Sequence, residues 1–289
     1  MGAPSNECQR NNLPDWQETW IYSPTTANLT DMTEPASRET FSTPSNLDGR
    51  TALVTGSTSG IGRAVADNLA ARGAHVIVSG RDAGRGTSAV TLIRERGGSA
   101  DFLGADLTTR TGTAGLAERA LGVTGQIDIL INNAGVFSFG PTSATTEAGF
   151  DATFAINVKA PYFLVQALAP AMAERGSGAV VNILTGAAHR GSVAAGLYGS
   201  SKAALLLLTQ GWAAEFGPCG VRVNAVSPGP IRTEGTDDGA GLESVAAALP
   251  ARRLGNPREV AAAVAFLAGD EAAYIHGAVL PVDGGAIAA

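Results

Sequence analysis

From about residue 47 onward the apolar positions come in short β-prone runs that alternate with longer helical stretches, whereas residues 1–46 show no sustained apolar period. The first run, Ala52-Leu-Val-Thr55, passes through Gly56-Ser-Thr-Ser-Gly60-Ile-Gly62 into an amphipathic stretch from Arg63 to Arg72. Gly73 closes that stretch as a C-cap, and His75-Val-Ile-Val-Ser79 forms a second run. The alternation continues with Ala100-Asp-Phe-Leu-Gly104, Ile127-Asp-Ile-Leu-Ile131 and Gly178-Ala-Val-Val-Asn-Ile-Leu184. Strands apolar on both faces and separated by helices predict a parallel sheet covered on both sides, which right-handed crossovers make doubly wound. The expected fold class is α/β, a single domain over 47–289 with helices on both faces, preceded by a disordered extension over 1–46. Trp16, Trp20 and Tyr22 are unusual in a solvated tail and could dock on the body or on a neighbouring subunit, and Met32 is an alternative start of translation.

In such a sheet ligands bind at the carboxyl ends of the strands. The glycines of Gly56 to Gly62 let the backbone turn sharply and approach a pyrophosphate, and the helix that follows offers unpaired N–H groups at the positive end of its dipole. Strand, glycine loop and helix in this order read as a nucleotide phosphate site rather than an ordinary turn. About 20 positions on, where a carboxylate would grip the ribose 2′-hydroxyl of NAD, the chain has Gly80 and then Arg81. A guanidinium with no carboxylate before it favours NADP, whose 2′-phosphate it can fork onto. Asp82 keeps NAD open, because its carboxylate could rotate onto the ribose. Asp106, Asn132 and Thr185 follow other strands at the same end of the sheet.

The chain's main chemical signal is Tyr198-Gly-Ser-Ser-Lys202, in an Ala- and Leu-rich helical segment. Residues four apart share a helix face, so the phenol and the ammonium lie side by side. A fixed positive charge favours phenolate, which would draw the tyrosine pKa from about 10 toward the working range and let it exchange a proton with a carbonyl oxygen. A packed Tyr and a snorkelling Lys would leave the same spacing, and the other motifs decide for chemistry.

Composition removes several function classes. The 289 residues are 45% hydrophobic and 16% charged, enough for a sizeable core, and a net charge of −6 gives no electrostatic footprint for nucleic acid or an anionic membrane. No run in the first stretch is long enough for a signal h-region or a membrane span. Cys8 and Cys219 lie far apart, so neither a disulfide framework nor a metal cluster can be read from them, and a reducing cytoplasm fits. His75, His189 and His276 share no metal-binding spacing, and no metal is expected.

Thr55-Gly-x-x-x-Gly-x-Gly62, Asp106, Asn132-Asn-Ala-Gly135, Asn157, Tyr198-x-x-x-Lys202 and Pro228-Gly-Pro-Ile-Arg-Thr233 together resemble, in order and spacing, the short-chain dehydrogenase/reductase family. The match runs from about Leu47 to Gly285, and Arg253-Leu-Gly-Asn-Pro-Arg-Glu259 with Val282-Asp-Gly-Gly285 is similar to its ketoreductase-like members. The resemblance implies a Rossmann-type oxidoreductase moving a hydride between NADP(H), or NAD(H), and a carbonyl or secondary alcohol. It implies Tyr198 as general acid/base, Lys202 as the group that lowers its pKa and bonds the nicotinamide ribose, and Asn157 as holder of a water linking Lys202 to solvent. Read from its neighbours alone, Asn157 is equally a helix-kink residue satisfying backbone groups near Pro161. The resemblance also implies cofactor contacts from Gly56, Ser57, Ser59, Gly60, Ile61 and Gly62, from Arg81, and from Asp106 and Leu107 at the adenine. Asn133, Ala134 and Gly135 would lie at the ribose, and Pro228, Gly229, Ile231 and Thr233 at the nicotinamide end.

One position departs from the family pattern: Thr185 stands thirteen residues before Tyr198, where a Ser is usual. The hydroxyl survives as a polarising group, while the added methyl narrows the space beside the substrate oxygen. Thr185 is the only support for a catalytically degenerate nucleotide-binding sensor or scaffold as the alternative function. Residues 234–250 take the place of the family's substrate lid; their glycines suggest mobility, and Glu234, Asp237, Asp238 and Glu243 disfavour a strongly anionic ligand from that side. The segments Asn157 to Met172 and Ser201 to Phe216 are apolar around most of the helix, which predicts a homo-oligomer, a tetramer or a dimer, unless the N-terminal tail covers them.

Overall fold

The computed structural model describes residues 47–234 and 241–288. Seven strands, β1 (Thr51–Thr55), β2 (His75–Gly80), β3 (Ser99–Gly104), β4 (Ile129–Asn132), β5 (Gly178–Ile183), β6 (Val221–Pro228) and β7 (Val279–Val282), form one sheet in the order β3-β2-β1-β4-β5-β6-β7. Every neighbouring pair is parallel. Helices α1 (Gly60–Ala71), α2 (Ala83–Glu95), α3 (Arg110–Thr124), α4 (Glu147–Phe154), α5 (Ala160–Glu174) and α6 (Gly196–Phe216) are joined by α7 (Gly241–Ala248) and α8 (Pro257–Ala268). The chain reverses direction across the sheet between β3 and β4, so β1 and β4 flank the switch point where a crevice opens in folds of this kind.

The period of two along each strand divides the core. Val54, Val76, Val78, Ile131 and Val181 pack with Val65 and Leu69 of α1 and Val260 and Val264 of α8 on one face. Leu53, Ile77, Leu130, Val180 and Val223 pack with Leu116 of α3, Leu164 and Leu168 of α5 and Leu205 of α6 on the other. β1 is buried along its whole length, as expected of a central strand in a two-faced parallel sheet.

Three features differ from the sequence reading. Helix α1 starts at Gly60, three residues before the expected Arg63. Gly62 therefore lies inside the helix, where a Cβ would collide with the Asn133 side chain and the Gly56 carbonyl. β6 and β7 are strands that the apolar runs did not reveal, because polar residues interrupt β6 and Pro281 lies within the four residues of β7. Arg222 of β6 turns its guanidinium onto the Leu267, Ala268 and Gly269 carbonyls at 2.6, 3.1 and 2.9 Å, satisfying the last turn of α8. Asn224 donates to the Ile275 carbonyl at 2.7 Å and accepts from the Ala278 amide at 2.9 Å. Within the expected lid, residues 235–240 lie outside the described residues and Gly241–Ala248 is helical. The first 46 residues, with Cys8, Trp16, Trp20, Tyr22 and Met32, also lie outside them. Among the described residues no helix is long and apolar enough to cross a membrane.

Candidate active site

At the switch point the ends of β1 and β4 are stapled together. The Thr55 hydroxyl donates to the Ile131 carbonyl at 3.1 Å and accepts from the Asn133 and Ala134 amides, both at 3.0 Å. Asn133 donates from its side chain to the Thr55 and Gly56 carbonyls at 2.8 and 3.0 Å. Its amide thus holds the glycine turn in place, a bracing role that the ribose reading did not foresee. Gly56 and Gly60 have φ of +61° and +57°, conformations that a side chain would strain. Ser57 is also turned inward: its fully buried hydroxyl donates to the Val54 carbonyl at 2.7 Å and accepts from the Ser79 amide at 3.0 Å. Ser59 is the N-cap of α1, and no side chain caps that turn. The first N–H groups of α1 are thereby left for an anion, beside Ile61 and Thr233, whose methyl lies 3.6 Å from where a Cβ of residue 60 would stand.

The end of β2 explains the missing carboxylate. A Cβ at Gly80 would come within 2.7 Å of the Thr58 methyl, so Thr58 of the glycine loop fills the space from which an acidic side chain would rise. Asp82 is already committed. Its carboxylate caps α2 through the Arg85 amide at 2.9 Å and pairs with the Arg85 Nε at 2.9 Å, and these bonds hold its pKa below the usual carboxylate value. Arg81 is exposed, and its guanidinium makes no hydrogen bond or ion pair among the described residues. It lies close enough to Asp106 to contribute to the lowered pKa of that carboxylate, after the amide and hydroxyl of Thr108, which donate to Oδ1 at 3.0 and 2.8 Å. Leu107, next to it, is buried.

A second cluster of candidate residues lies at the start of α6. Tyr198 and Lys202 occupy the first turns of α6 and are 4% and 2% exposed. The Thr185 hydroxyl lies close enough to the phenol to act on its titration, and the Lys202 ammonium donates to the Ile183 carbonyl at 2.7 Å. Thr185, in an extended conformation, caps a short 3₁₀ turn, Gly186–Ala188, its hydroxyl accepting from the Ala187 amide at 3.4 Å. The titration of the pair corrects the sequence reading. Burial pushes the Tyr198 phenol up to about 12, with the Thr185 hydroxyl opposing it, and burial lowers Lys202 to about 8. Desolvation outweighs any pull of the ammonium on the phenol, because both groups share one water-poor pocket and the ammonium is tethered to a carbonyl.

Asn157 sits in a π-helical turn, Ala155–Lys159, between α4 and α5, and is fully buried. Its amide accepts from the Val136 N–H at 2.9 Å and donates to the Val136 carbonyl at 3.0 Å and the Ser201 hydroxyl at 2.9 Å. The backbone it satisfies is therefore at Val136, not near Pro161. Ser201 in turn donates to the Tyr198 carbonyl at 2.7 Å, so one buried amide ties the β4 loop to the first turns of α6. Gly135 keeps the intervening space open: a Cβ there would stand 3.4 Å from Asn157 Oδ1 and 3.5 Å from Lys202 Nζ.

After β6, Pro228 and Gly229 pass against Asp283 so closely that a Cβ at Gly229 would meet its backbone at 2.6 Å, and Ile231 bridges to Gly255. Asp283 folds the C-terminal residues back by accepting from the Gly285 and Ile287 amides, both at 2.9 Å. Ile287 then reaches the 3₁₀ turn beside Thr185, and Arg190 donates to the Ala286 carbonyl at 2.8 Å. This brace was absent from the sequence reading, although the Asp283-Gly-Gly285 motif marked its hinge. A cleft of about 560 Å³ opens on the outer side of α1, lined by Arg63, Asp67, Arg232 and Arg258 among others; Tyr198 does not line it. Among the described residues no cluster of His, Cys, Asp and Glu could hold a metal ion.

The comparisons agree with this geometry. A family model described as enoyl-(acyl carrier protein) reductase matches residues 56–286. Dehydrogenase/reductase SDR family member 4 of Bos taurus is 39% identical over 246 residues, 83% of this chain and 88% of its own. A solved short chain dehydrogenase/reductase family protein is 49% identical, covers 84% of this chain and 100% of its own, and superposes with a TM-score of 0.79. A blue fluorescent protein from a metagenomic library, solved in complex with NADPH, is 38% identical with a TM-score of 0.80 and covers 84% of this chain and 100% of its own. The chain belongs to the short-chain dehydrogenase/reductase family and is an NAD(P)-dependent oxidoreductase.

Proposed function

We propose that the protein interconverts a carbonyl compound and its secondary alcohol with NADP(H), Tyr198 giving or taking the proton at the substrate oxygen. The observation that carries this reading is the buried Tyr198 phenol, with Thr185 close enough to act on its titration, one helical turn from the buried Lys202 at the same sheet end as the glycine turn. The cradle fits a dinucleotide: two glycines at positive φ, a helix N-terminus with no side-chain cap, an unpaired Arg81 for a 2′-phosphate and the open space at Gly135. Gly56 to Gly62 would hold the pyrophosphate, Arg81, Asp106 and Leu107 the adenosine end, and Ala134, Gly135, Ile231 and Thr233 the nicotinamide end. When bound, the nicotinamide supplies or accepts the hydride. Thr185 and Tyr198 polarise the substrate oxygen, and Tyr198 donates its proton as negative charge develops there. A phenol kept protonated by burial is the form that reduction requires. Lys202, one helical turn away, would return the proton to the phenol after each turnover.

NADP is favoured over NAD because Asp82 is committed to α2 and Arg81 is free to pair, and because the related metagenomic protein binds NADPH. Residues 47–289 would then be the catalytic domain, with the lid near 234–250, in a cytoplasmic homo-oligomer. Mixing the purified chain with NADPH or NADH and a panel of simple ketones, steroids, sugars and acyl thioesters tests the reading. Carbonyl-dependent oxidation of NADPH is the expected result, and tight nucleotide binding with no turnover of any carbonyl would favour the sensor alternative.

A further inference from the structure

The mouth of the catalytic cluster carries a feature that dinucleotide chemistry does not require. Phe137 and Phe139, on the segment after β4, are each 69% exposed, yet their rings stand 5.4 and 5.8 Å from the Tyr198 ring. Scattered surface apolar residues need no explanation, but two phenyl rings converging on one catalytic phenol form a patch. A second loop closes against them. The Gly140 N–H donates to the Ala194 carbonyl at 2.7 Å, Ala194 is held at φ +64°, and its neighbour Val193 is 97% exposed. Left-handed backbone at a non-glycine residue is costly and persists at sites that over-determine it. An adjoining cavity of about 180 Å³, walled by Phe139, Pro141 and Leu197 and by the hydroxyl residues Ser138, Thr145 and Thr146, has no ionisable residue among the described residues that line it.

We propose that Phe137 and Phe139 determine specificity, and that the substrate is an uncharged ketone, or its alcohol, carrying an apolar ring near the reacting carbon. This rests on the carbonyl reading above. An aryl group would cover both rings in edge or offset contact with Tyr198, at the 4.5–7 Å separations that such pairs favour. A sugar acid or a phosphate-bearing thioester would bring its charge to walls that offer the hydroxyls of Ser138, Thr145 and Thr146 but, among the described residues, no cationic side chain.

The test compares three ketones on the full chain with NADPH: 4-phenyl-2-butanone, 2-butanone and the anionic 4-oxopentanoate. The kcat/KM for the phenyl ketone should exceed the other two by at least about tenfold. Phe137→Ala and Phe139→Ala should each lower it about tenfold or more, the scale of an unburied phenyl contact, and change 2-butanone by less than about threefold. Phe139→Leu should keep part of the preference. Calorimetric binding of 4-phenyl-2-butanone gives a readout independent of turnover. Ring-dependent binding without turnover would sink the reductase reading and keep the aryl subsite. A preference for the anion, or equal losses on all three ketones, would overturn the proposal. So would a marked fall in melting temperature with unchanged discrimination, since the rings would then serve to pack another segment of the chain.

Discussion

Tyr198 and Lys202 share a helix face, yet burial drives their titrations apart, the phenol up to about 12 and the ammonium down to about 8. The stability consequence has a definite sign. Between about pH 8 and 10.5 the unfolded chain holds a lysine proton that the folded chain has released, so stability rises with pH across that window. Between pH 10 and 12 the folded chain keeps a tyrosine proton that the unfolded chain has lost, so stability then falls. Urea unfolding of the cofactor-free protein should show the first rise, up to about 3 kcal/mol, and Lys202→Met should flatten it; an equal slope in the variant would place the lysine in contact with water. Arg81→Ala should weaken NADPH far more than NADH, because only NADPH presents a phosphate to the guanidinium; equal effects measured by nucleotide titration would remove Arg81 from the site. The residue types of the site were legible because their chemistry is local: a Tyr and a Lys four apart, glycines where the chain must turn. Ser57 and Asn133 were less so. Each is a polar residue in a ligand-binding motif, and only the fold shows their side chains turned inward to hold β1, β2 and β4 together.

At the scale of elements, α6 is fixed against the sheet by a buried polar ladder. Asn132 of β4 donates to Asn182 of β5 at 2.8 Å, Asn182 donates to the Thr209 hydroxyl of α6 at 2.8 Å, and Thr209 donates to the Leu205 carbonyl at 2.8 Å. Thr209 lies two turns beyond Lys202 on the same helix, so the ladder sets the depth at which the catalytic turn meets Thr185. Asn182→Ala would strand the buried Asn132 amide and remove the partner of Thr209. A loss of about 2 kcal/mol or more in urea unfolding is expected, and a change below about 0.5 kcal/mol would show that apolar packing alone places the helix. The central strands β1, β2, β4 and β5 were legible because they are apolar on both faces. β6 was hidden by Arg222 and Asn224, whose partners are carbonyls and an amide more than 40 residues along the chain. A partner that distant leaves no trace in local periodicity.

At the scale of the whole molecule, α5 and α6 present Tyr162 and Leu207, 46% and 68% exposed, on the side away from the sheet. Tyr162 packs toward Trp212, with ring centroids 6.0 Å apart, and the patch continues an apolar helix pair that one face of a sheet does not account for. Light scattering should give a dimeric or tetrameric mass, and Leu207→Glu should lower it; a monomeric mass for the full chain would reject the oligomer. A chain starting near Pro44 that keeps the same assembly would show that the tail is not the cover. The doubly wound sheet as a whole was legible from alternation, since each strand and helix had to find a cover and the crossover rule left one hand. In the proposed reaction the whole fold serves to deliver a proton from one phenol. Tyr198→Phe keeps the ring and removes the hydroxyl, so NADPH binding by fluorescence titration should persist while carbonyl-dependent turnover falls at least about a hundredfold. Turnover within a few fold of the parent protein, with nucleotide binding intact, would contradict it.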